Sequence, residues 1–190
     1  MKIILVHRWD GTPRSDWYPW LKQELEKRKW KVVILRMPNT SEPKIDAWVN
    51  YLKKIVENPD EEMYFIGHSI GCQAIMRYLA QLPPRTKVGG LIFVAGWLKL
   101  QNLEDDDAEA IAKPWLETPI DFSKVKEKTK NIIVILSNND PYVDYKEHKN
   151  VFMEKLNAKI IVEKGKGHFT EEEGVTKIPE VIKELQLMIK

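Results

Sequence analysis

The sequence predicts one α/β domain over residues 1–190, with a doubly wound, mostly parallel sheet of six strands and helices on both faces. Three observations predict this fold class. Six apolar runs of strand length recur along the chain, and segments with apolar residues at helical spacing separate them. The runs are continuous rather than alternating, as expected for parallel strands that helices cover on both faces.

The first part of the chain predicts two strands and two helices. The strands are Ile3–Val6 and Val32–Leu35. The helix between them has Pro19 in its first turn, where the fixed φ of proline is helical and its missing N–H is not needed. A second helix begins near Ser41 and Pro43. The residues expected to face the core are Trp17, Trp20, Leu21 and Leu25 in the first helix and Ile45, Trp48, Val49, Leu52 and Val56 in the second.

The third strand carries the motif on which the functional prediction depends. The strand begins at Met63 and leads directly into Gly-x-Ser-x-Gly at residues 67–71, and an apolar helix follows. This arrangement is typical of the nucleophile elbow of the α/β-hydrolase fold. Gly67 and Gly71 suit the flanks of so tight a turn because they have no side chain. The motif predicts that Ser69 stands above the sheet, and the alternative is a serine that only caps the helix.

The second half of the chain predicts three more strands, Leu91–Ala95, Ile132–Leu136 and Lys159–Val162. Residues 96–130 contain no clear strand. A lid over the pocket and an ordinary crossover segment are both open interpretations of this stretch. Amphipathic helices follow the fifth and sixth strands, with the inward residues Val151, Phe152 and Leu156 in one and Ile178, Val181, Ile182, Leu185 and Ile189 in the other.

Three polar residues at strand ends predict a catalytic site. Ser69, Asp140 and His168 follow the third, fifth and sixth strands, and right-handed crossovers bring these loops to the carboxyl edge of the sheet. The chain order Ser, Asp, His is that of α/β-hydrolases. A serine hydroxyl needs a base to accept its proton, and a carboxylate orients that base. We predict Ser69 as nucleophile, His168 as general base and acid, and Asp140 as the orienting carboxylate, with Asp144 as the alternative.

An oxyanion intermediate needs two backbone N–H donors. The residue after the nucleophile, Ile70, supplies one, and the loop after the first strand supplies the other, for which we choose Trp9. Candidates for the substrate pocket are His7, Arg8, Trp97 and Trp115, although the tryptophans are also suited to core or lid packing. Two further histidines have structural interpretations: His68 as a packing residue inside the elbow and His148 within a helix.

At these residues the sequence resembles the small α/β-hydrolase-fold serine hydrolases related to retinoblastoma-binding serine hydrolase and bacterial YdeN. The resemblance is carried by residues 67–71, Asp140-Pro141, residues 167–169, the run at 17–21 and the acidic run at 171–174. It implies a compact α/β-hydrolase fold and a triad of Ser69, Asp140 and His168. The departure is Arg8, where many α/β-hydrolases have glycine, and a cation there is expected to narrow the oxyanion loop or bind a substrate carboxylate. The Leu-x-Cys-x-Glu pattern associated with retinoblastoma-protein binding is absent, so that partner is not carried over.

Composition argues against several other classes of protein. Lys and Arg number 30 against 28 Asp and Glu, so the net charge of +2 gives no field that would attract nucleic acid or a membrane. The single cysteine, Cys72, excludes an internal disulfide, and no Cys/His pairs lie at zinc spacing, so we expect no metal and no cofactor. The apolar run at 3–6 is far shorter than a signal-peptide core, which favours the cytoplasm. No protein partner is predicted.

These observations predict a serine hydrolase that cleaves a small carboxylic ester or related acyl compound through an acyl-Ser69 intermediate. Thioesters and amides would use the same site, because a triad fixes the reaction class and not the leaving group. The alternative is a catalytically silent α/β-hydrolase-fold module that binds a protein.

Overall fold

The six strands form one sheet in the computed structural model, which describes residues 1–189; Lys190, the end of the predicted domain, lies outside them. The strands are β1 (Lys2–Val6), β2 (Lys31–Ile34), β3 (Met63–His68), β4 (Gly90–Val94), β5 (Ile132–Ser137) and β6 (Lys159–Glu163). Their order is β2-β1-β3-β4-β5-β6, and every neighbouring pair is parallel. The predicted fold class is therefore confirmed, and the sheet is parallel throughout.

Seven α-helices lie within residues 1–189. They are α1 (Tyr18–Glu26), α2 (Ile45–Ile55), α3 (Ile70–Ala80), α4 (Asp106–Glu117), α5 (Phe122–Lys128), α6 (Tyr145–Leu156) and α7 (Pro179–Met188). None of them combines the length and the apolar character that a membrane crossing requires. Helices α1 and α7 pack on one face of the sheet, and α2, α3 and α6 pack on the other.

The strands are continuous apolar runs because both faces of the sheet are covered. Along β1, Ile4 and Val6 join the core beneath α2 and α3, while Ile3 and Leu5 join the core beneath α1 and α7. All four are fully buried, and each such side chain contributes roughly 1.5–3 kcal/mol relative to exposure. Four predicted core residues differ. Ile189 is 42% exposed, because α7 ends at Met188 and its apolar face goes no further. Trp20, Ile45 and Val151 are half-buried.

Residues 96–130 contain two helices, α4 and α5, which lie in different parts of the fold. Helix α5 packs against α3 and carries the chain over to β5. Helix α4 lies instead at the carboxyl edge of the sheet, where residues of its first two turns line the same cavity as Ser69. Both helices begin at an aspartate whose side chain caps the helix: Asp105 accepts from Ala108 N–H and Asp121 from Lys124 N–H.

Candidate active site

Ser69 lies in the sharp turn between β3 and α3, with φ of +54° and ψ of −123°. A side chain other than glycine rarely adopts positive φ, and such strain occurs where a functional site needs it. Glycine is required on both flanks. A Cβ at Gly67 would lie 2.7 Å from Cys72 N, and one at Gly71 would overlap the Val6 carbonyl oxygen. Helix α3 therefore begins directly against the loop that follows β1.

Ser69, Asp140 and His168 meet at the carboxyl edge of the sheet. The Nε2 atom of His168 lies 2.8 Å from Ser69 Oγ, and its Nδ1 atom lies 2.8 Å from Asp140 Oδ2. All three residues are buried. Because a carboxylate only accepts, Nδ1–H donates to Asp140 and Nε2 is left to accept from the serine hydroxyl. The imidazole thus bridges hydroxyl and carboxylate in the arrangement that activates a serine nucleophile.

The structure brings Asp140, and not Asp144, to the histidine. The Oδ1 atom of Asp140 accepts from the N–H groups of Tyr142 and Val143, at 2.9 and 3.1 Å, which leaves Oδ2 for His168. Asp144 instead caps α6, accepting from the N–H groups of residues 146 and 147. The turn after β5 therefore places the carboxylate of Asp140 at the site, whereas the carboxylate of Asp144 caps a helix.

The loop that carries His168 is fastened to the end of β5 by three side chains that sequence reasoning missed. Ser137 Oγ accepts from Lys166 N–H at 3.0 Å. The Oδ1 atoms of Asn138 and Asn139 accept from the N–H groups of residues 165 and 167, each at 2.9 Å. Their run of small polar residues at a strand end was visible in the sequence, but their partners were not.

Glu173 is a second feature that sequence reasoning missed. Its carboxylate accepts from the N–H of His168 at 2.6 Å and from the hydroxyl of Thr170 at 3.0 Å. Thr170 and Glu173 form a capping box around a short 3₁₀ helix at 171–173. The Thr-x-x-Glu spacing was the signal that could have found it.

His68 hydrogen bonds at both ring nitrogens, which goes beyond the predicted packing role. Nε2 lies 2.8 Å from the carbonyl oxygen of His168, and Nδ1 lies 2.6 Å from the hydroxyl of Tyr18. Burial lowers the pKa of His68 well below its usual value, so the ring is neutral. Nε2–H then donates to His168, and Nδ1 accepts from Tyr18, whose hydroxyl accepts from Arg8 N–H. This buried chain links the loop after β1 to the backbone of His168.

Arg8 lines the site, but its guanidinium group forms ion pairs with two carboxylates of the protein. Its Nε lies 2.9 Å from Asp16 Oδ2, and its Nη2 lies 3.3 Å from Glu172 Oε1. Asp16 also accepts from the backbone N–H of Glu171 at 3.0 Å. These contacts therefore argue against the suggested role of Arg8 in binding a substrate carboxylate. They connect the loop after β1 to the segment after His168.

The two proposed oxyanion donors are both available. Ile70 is the first residue of α3, and Trp9 lies in the turn after β1. Within residues 1–189, neither backbone N–H donates to a protein acceptor. A free backbone donor at a helix N-terminus or in a loop favours a bound anion.

A cavity of about 350 Å³ opens beside Ser69 and His168. Of the four residues predicted for the pocket, Arg8 and Trp97 line it, and His7 and Trp115 do not. The ring of His7 is fully buried, with Nε2 accepting from Met37 N–H at 3.2 Å. Trp115 lies in the core and donates to the carbonyl oxygen of Pro43 at 2.9 Å. The apolar wall comes from Trp9, Trp97, Leu100, Leu103, Ala108, Ile111 and Tyr142.

The other cysteine and histidine side chains of residues 1–189 have structural surroundings. Residues 1–189 contain no group of three or more His, Cys, Asp or Glu side chains arranged to hold a metal ion. Cys72 is buried behind the elbow, and burial raises the pKa of its thiol well above the usual value. His148 is also buried, and its Nε2 accepts from the N–H groups of Leu98 and Lys99, which fixes the start of the segment after β4.

Comparison with known proteins agrees with this geometry. The sequence pattern of a family described as serine hydrolase matches residues 3–187. The chain is 30% identical to the hydrolase YdeN of Bacillus subtilis over 182 residues, which covers 94% of this chain and 90% of YdeN. It is 28% identical to the serine hydrolase RBBP9 of Rattus norvegicus, covering 80% of this chain and 77% of the rat protein. The crystal structure of the B. subtilis ydeN product superposes with a TM-score of 0.90 at 29% identity, covering 99% of this chain and 98% of the other.

Proposed function

Because the chain belongs to the serine hydrolase family and is therefore a hydrolytic enzyme, we propose that it cleaves small carboxylic esters through an acyl-Ser69 intermediate. The observation that carries this proposal is the imidazole of His168, held 2.8 Å from both Ser69 Oγ and Asp140 Oδ2. The proposal includes a small-molecule acyl substrate and a cytoplasmic location. The alternative is a catalytically silent module that binds a protein, and membership of the serine hydrolase family supports the enzyme over it.

In the first half-reaction, Ser69 Oγ attacks the carbonyl carbon of the ester while its proton passes to His168 Nε2. The carbonyl electron pair moves onto oxygen, and the resulting oxyanion lies between the N–H groups of Ile70 and Trp9. Asp140 stabilises the imidazolium and keeps its Nδ1–H in place. Collapse of the intermediate breaks the bond to the alcohol, which takes the proton from Nε2 and leaves.

In the second half-reaction, a water molecule repeats the attack on the acyl-enzyme. His168 accepts a proton from the water and then returns it to Ser69 Oγ as the acyl–oxygen bond breaks. The products are the carboxylic acid and the free serine. A thioester or amide would follow the same steps with a different leaving group.

The cavity indicates an apolar acyl group. Its wall is formed by three aromatic side chains and by aliphatic residues from α4 and the loop before it. Its rim carries four exposed carboxylates, from Asp10, Glu104, Asp105 and Asp107. Arg8, the one arginine or lysine among the lining residues, is already paired with Asp16 and Glu172. The rim therefore repels anionic substrates.

We expect the enzyme to prefer a neutral p-nitrophenyl butyrate to the anionic p-nitrophenyl hemisuccinate, which has a similar length. Two unit charges about 8 Å apart repel each other by roughly 0.5 kcal/mol in water, so four such carboxylates together would lower kcat/KM for the anionic ester by about 30-fold at low salt. Salt at about 0.5 M should reduce the difference in kcat/KM between the two esters, because it screens exposed charges. Asp107→Asn should also reduce this difference, because it removes one of the carboxylates. A faster reaction with the hemisuccinate would contradict this expectation and return Arg8 to a substrate-binding role.

The nucleophile is tested by mass spectrometry after treatment with a fluorophosphonate, which forms a stable adduct with an activated serine. We expect one adduct on the wild-type protein, located at Ser69 by peptide mapping, and none on Ser69→Ala. The circular dichroism of both proteins controls for folding. A well-folded wild-type protein that takes no label and does not hydrolyse p-nitrophenyl acetate would overturn the proposed function.

A further inference from the structure

We propose that Trp97 is a further catalytic residue, whose indole N–H binds the attacking oxygen of Ser69. The inference rests on the proposed function, because it concerns the same nucleophile. Trp97 Nε1 lies 3.1 Å from Ser69 Oγ, and both side chains are buried. Ser69 Oγ therefore has two side-chain partners, the indole of Trp97 and the imidazole of His168.

These two contacts fix the direction of the serine proton. An indole nitrogen is only a donor, whereas a hydroxyl has one donor and two acceptor lone pairs. Trp97 N–H must therefore donate to Ser69 Oγ, and the hydroxyl hydrogen is directed to His168 Nε2. One lone pair of Oγ remains free, and it is the pair that attacks the substrate. The indole thus selects the hydroxyl orientation from which proton transfer to the base is direct.

The same N–H group also acts on the charge that the reaction places on Ser69 Oγ. As the proton passes to His168, negative charge develops on Oγ until the new bond to the carbonyl carbon forms. In the second half-reaction Oγ is the leaving group, and it again carries negative charge until His168 returns the proton. A fixed donor in a buried site stabilises such charge without reorganisation. Trp97 is therefore expected to accelerate both acylation and deacylation.

The backbone around Trp97 is fixed by a sharp turn before it and by hydrogen bonds to α3 and α6. The residue two positions earlier, Ala95, has φ of +47°, which turns the chain sharply after β4. Gln73, one turn into α3, donates from Nε2 to the carbonyl oxygen of Trp97 at 3.2 Å. His148 accepts from the N–H of Leu98 at 3.1 Å. The indole is 1% exposed, so its position over the elbow is defined by the fold and not by solvent.

Trp97 also forms part of the cavity wall, and the test must separate this packing role from the hydrogen bond. Trp97→Phe removes the N–H and keeps an aromatic ring. Trp115→Phe is the matched control, because it removes an indole N–H from the same segment whose acceptor is the Pro43 carbonyl in the core. The probes are the rate of fluorophosphonate labelling at Ser69 and kcat/KM for p-nitrophenyl acetate, butyrate and octanoate.

We expect Trp97→Phe to lower the labelling rate and kcat/KM by about 10- to 100-fold, the loss typical of a hydrogen bond to a charged group. The factor should be the same for all three esters, because the N–H acts on Ser69 and not on the acyl chain. Trp115→Phe should stay within about twofold of the wild type, because its indole N–H donates to the Pro43 carbonyl and Trp115 does not line the cavity. A wild-type rate in folded Trp97→Phe would overturn the inference, and so would a loss that grows with acyl length.

A spectroscopic measurement covers the case in which Trp97→Phe does not fold. The chain has seven tryptophans, each with one indole N–H resonance. In ¹⁵N-labelled Ser69→Ala, one of these resonances should move upfield farther than all others, because it has lost its acceptor. The absence of such a change would overturn the inference. Failure of the proposed function is recognised separately, since the wild-type protein would then take no label at Ser69.

Discussion

Replacement of His168 by alanine is expected to lower kcat for p-nitrophenyl butyrate by about a million-fold, as in a comparable triad. Without the imidazole, no group accepts the Ser69 proton, since the structure places no other base within hydrogen-bonding distance of Oγ among residues 1–189. The measurement is the initial rate at a saturating ester concentration, with active-site titration to exclude traces of wild-type enzyme.

The control for this prediction is the double variant of Ser69 and His168. Ser69→Ala should cause a loss similar to that of His168→Ala, and the double variant should lose little more, because groups that act as a unit are not additive. The residual rate above that in water would come from the N–H groups of Ile70 and Trp9 and from substrate binding. Losses that multiply in the double variant would mean that His168 does not act through Ser69.

Asp140→Asn is expected to lower kcat by about ten-thousand-fold with little change in KM. An amide at this position donates as well as accepts, so the preference of His168 for the tautomer with its proton on Nδ1 is lost. Imidazolium formed during the reaction also loses its countercharge. The backbone donors at Tyr142 and Val143 still have an oxygen to bond, so the turn itself should remain folded.

Asp144→Asn is the matched control for Asp140→Asn. It makes the same chemical change four residues later, at the N-cap of α6, where asparagine caps about as well as aspartate. We expect its kcat to stay within about twofold of the wild type. The opposite ranking, with the larger loss in Asp144→Asn, would assign the orienting carboxylate to Asp144.

The sequence by itself determined the fold class and the positions of the strands. Continuous apolar runs such as Ile3–Val6 and Ile132–Leu136 contain no polar residues that could face solvent. They therefore predict strands of a sheet that is covered on both faces. Once the sheet is parallel, every strand ends at the same edge. This explains why residues as distant in the chain as Ser69 and His168 could be predicted to meet. A local motif that allows only one backbone conformation can also be predicted from the sequence. The tight turn at Ser69, with Gly67 and Gly71 on its flanks, is an example.

The tertiary structure alone decided how the loops at that edge are used. Arg8 and Glu172 lie 164 positions apart, and their contact depends on the paths of two loops that no local pattern fixes. The same reason applies to the placement of His7 and Trp115 in the core and of Trp97 on Ser69 Oγ. All three residues are polar at one end and large, so core and pocket suit them equally until packing selects one. Sequence periodicity describes the faces of helices and strands, whereas side-chain partners across loops are set by the packing of the whole domain.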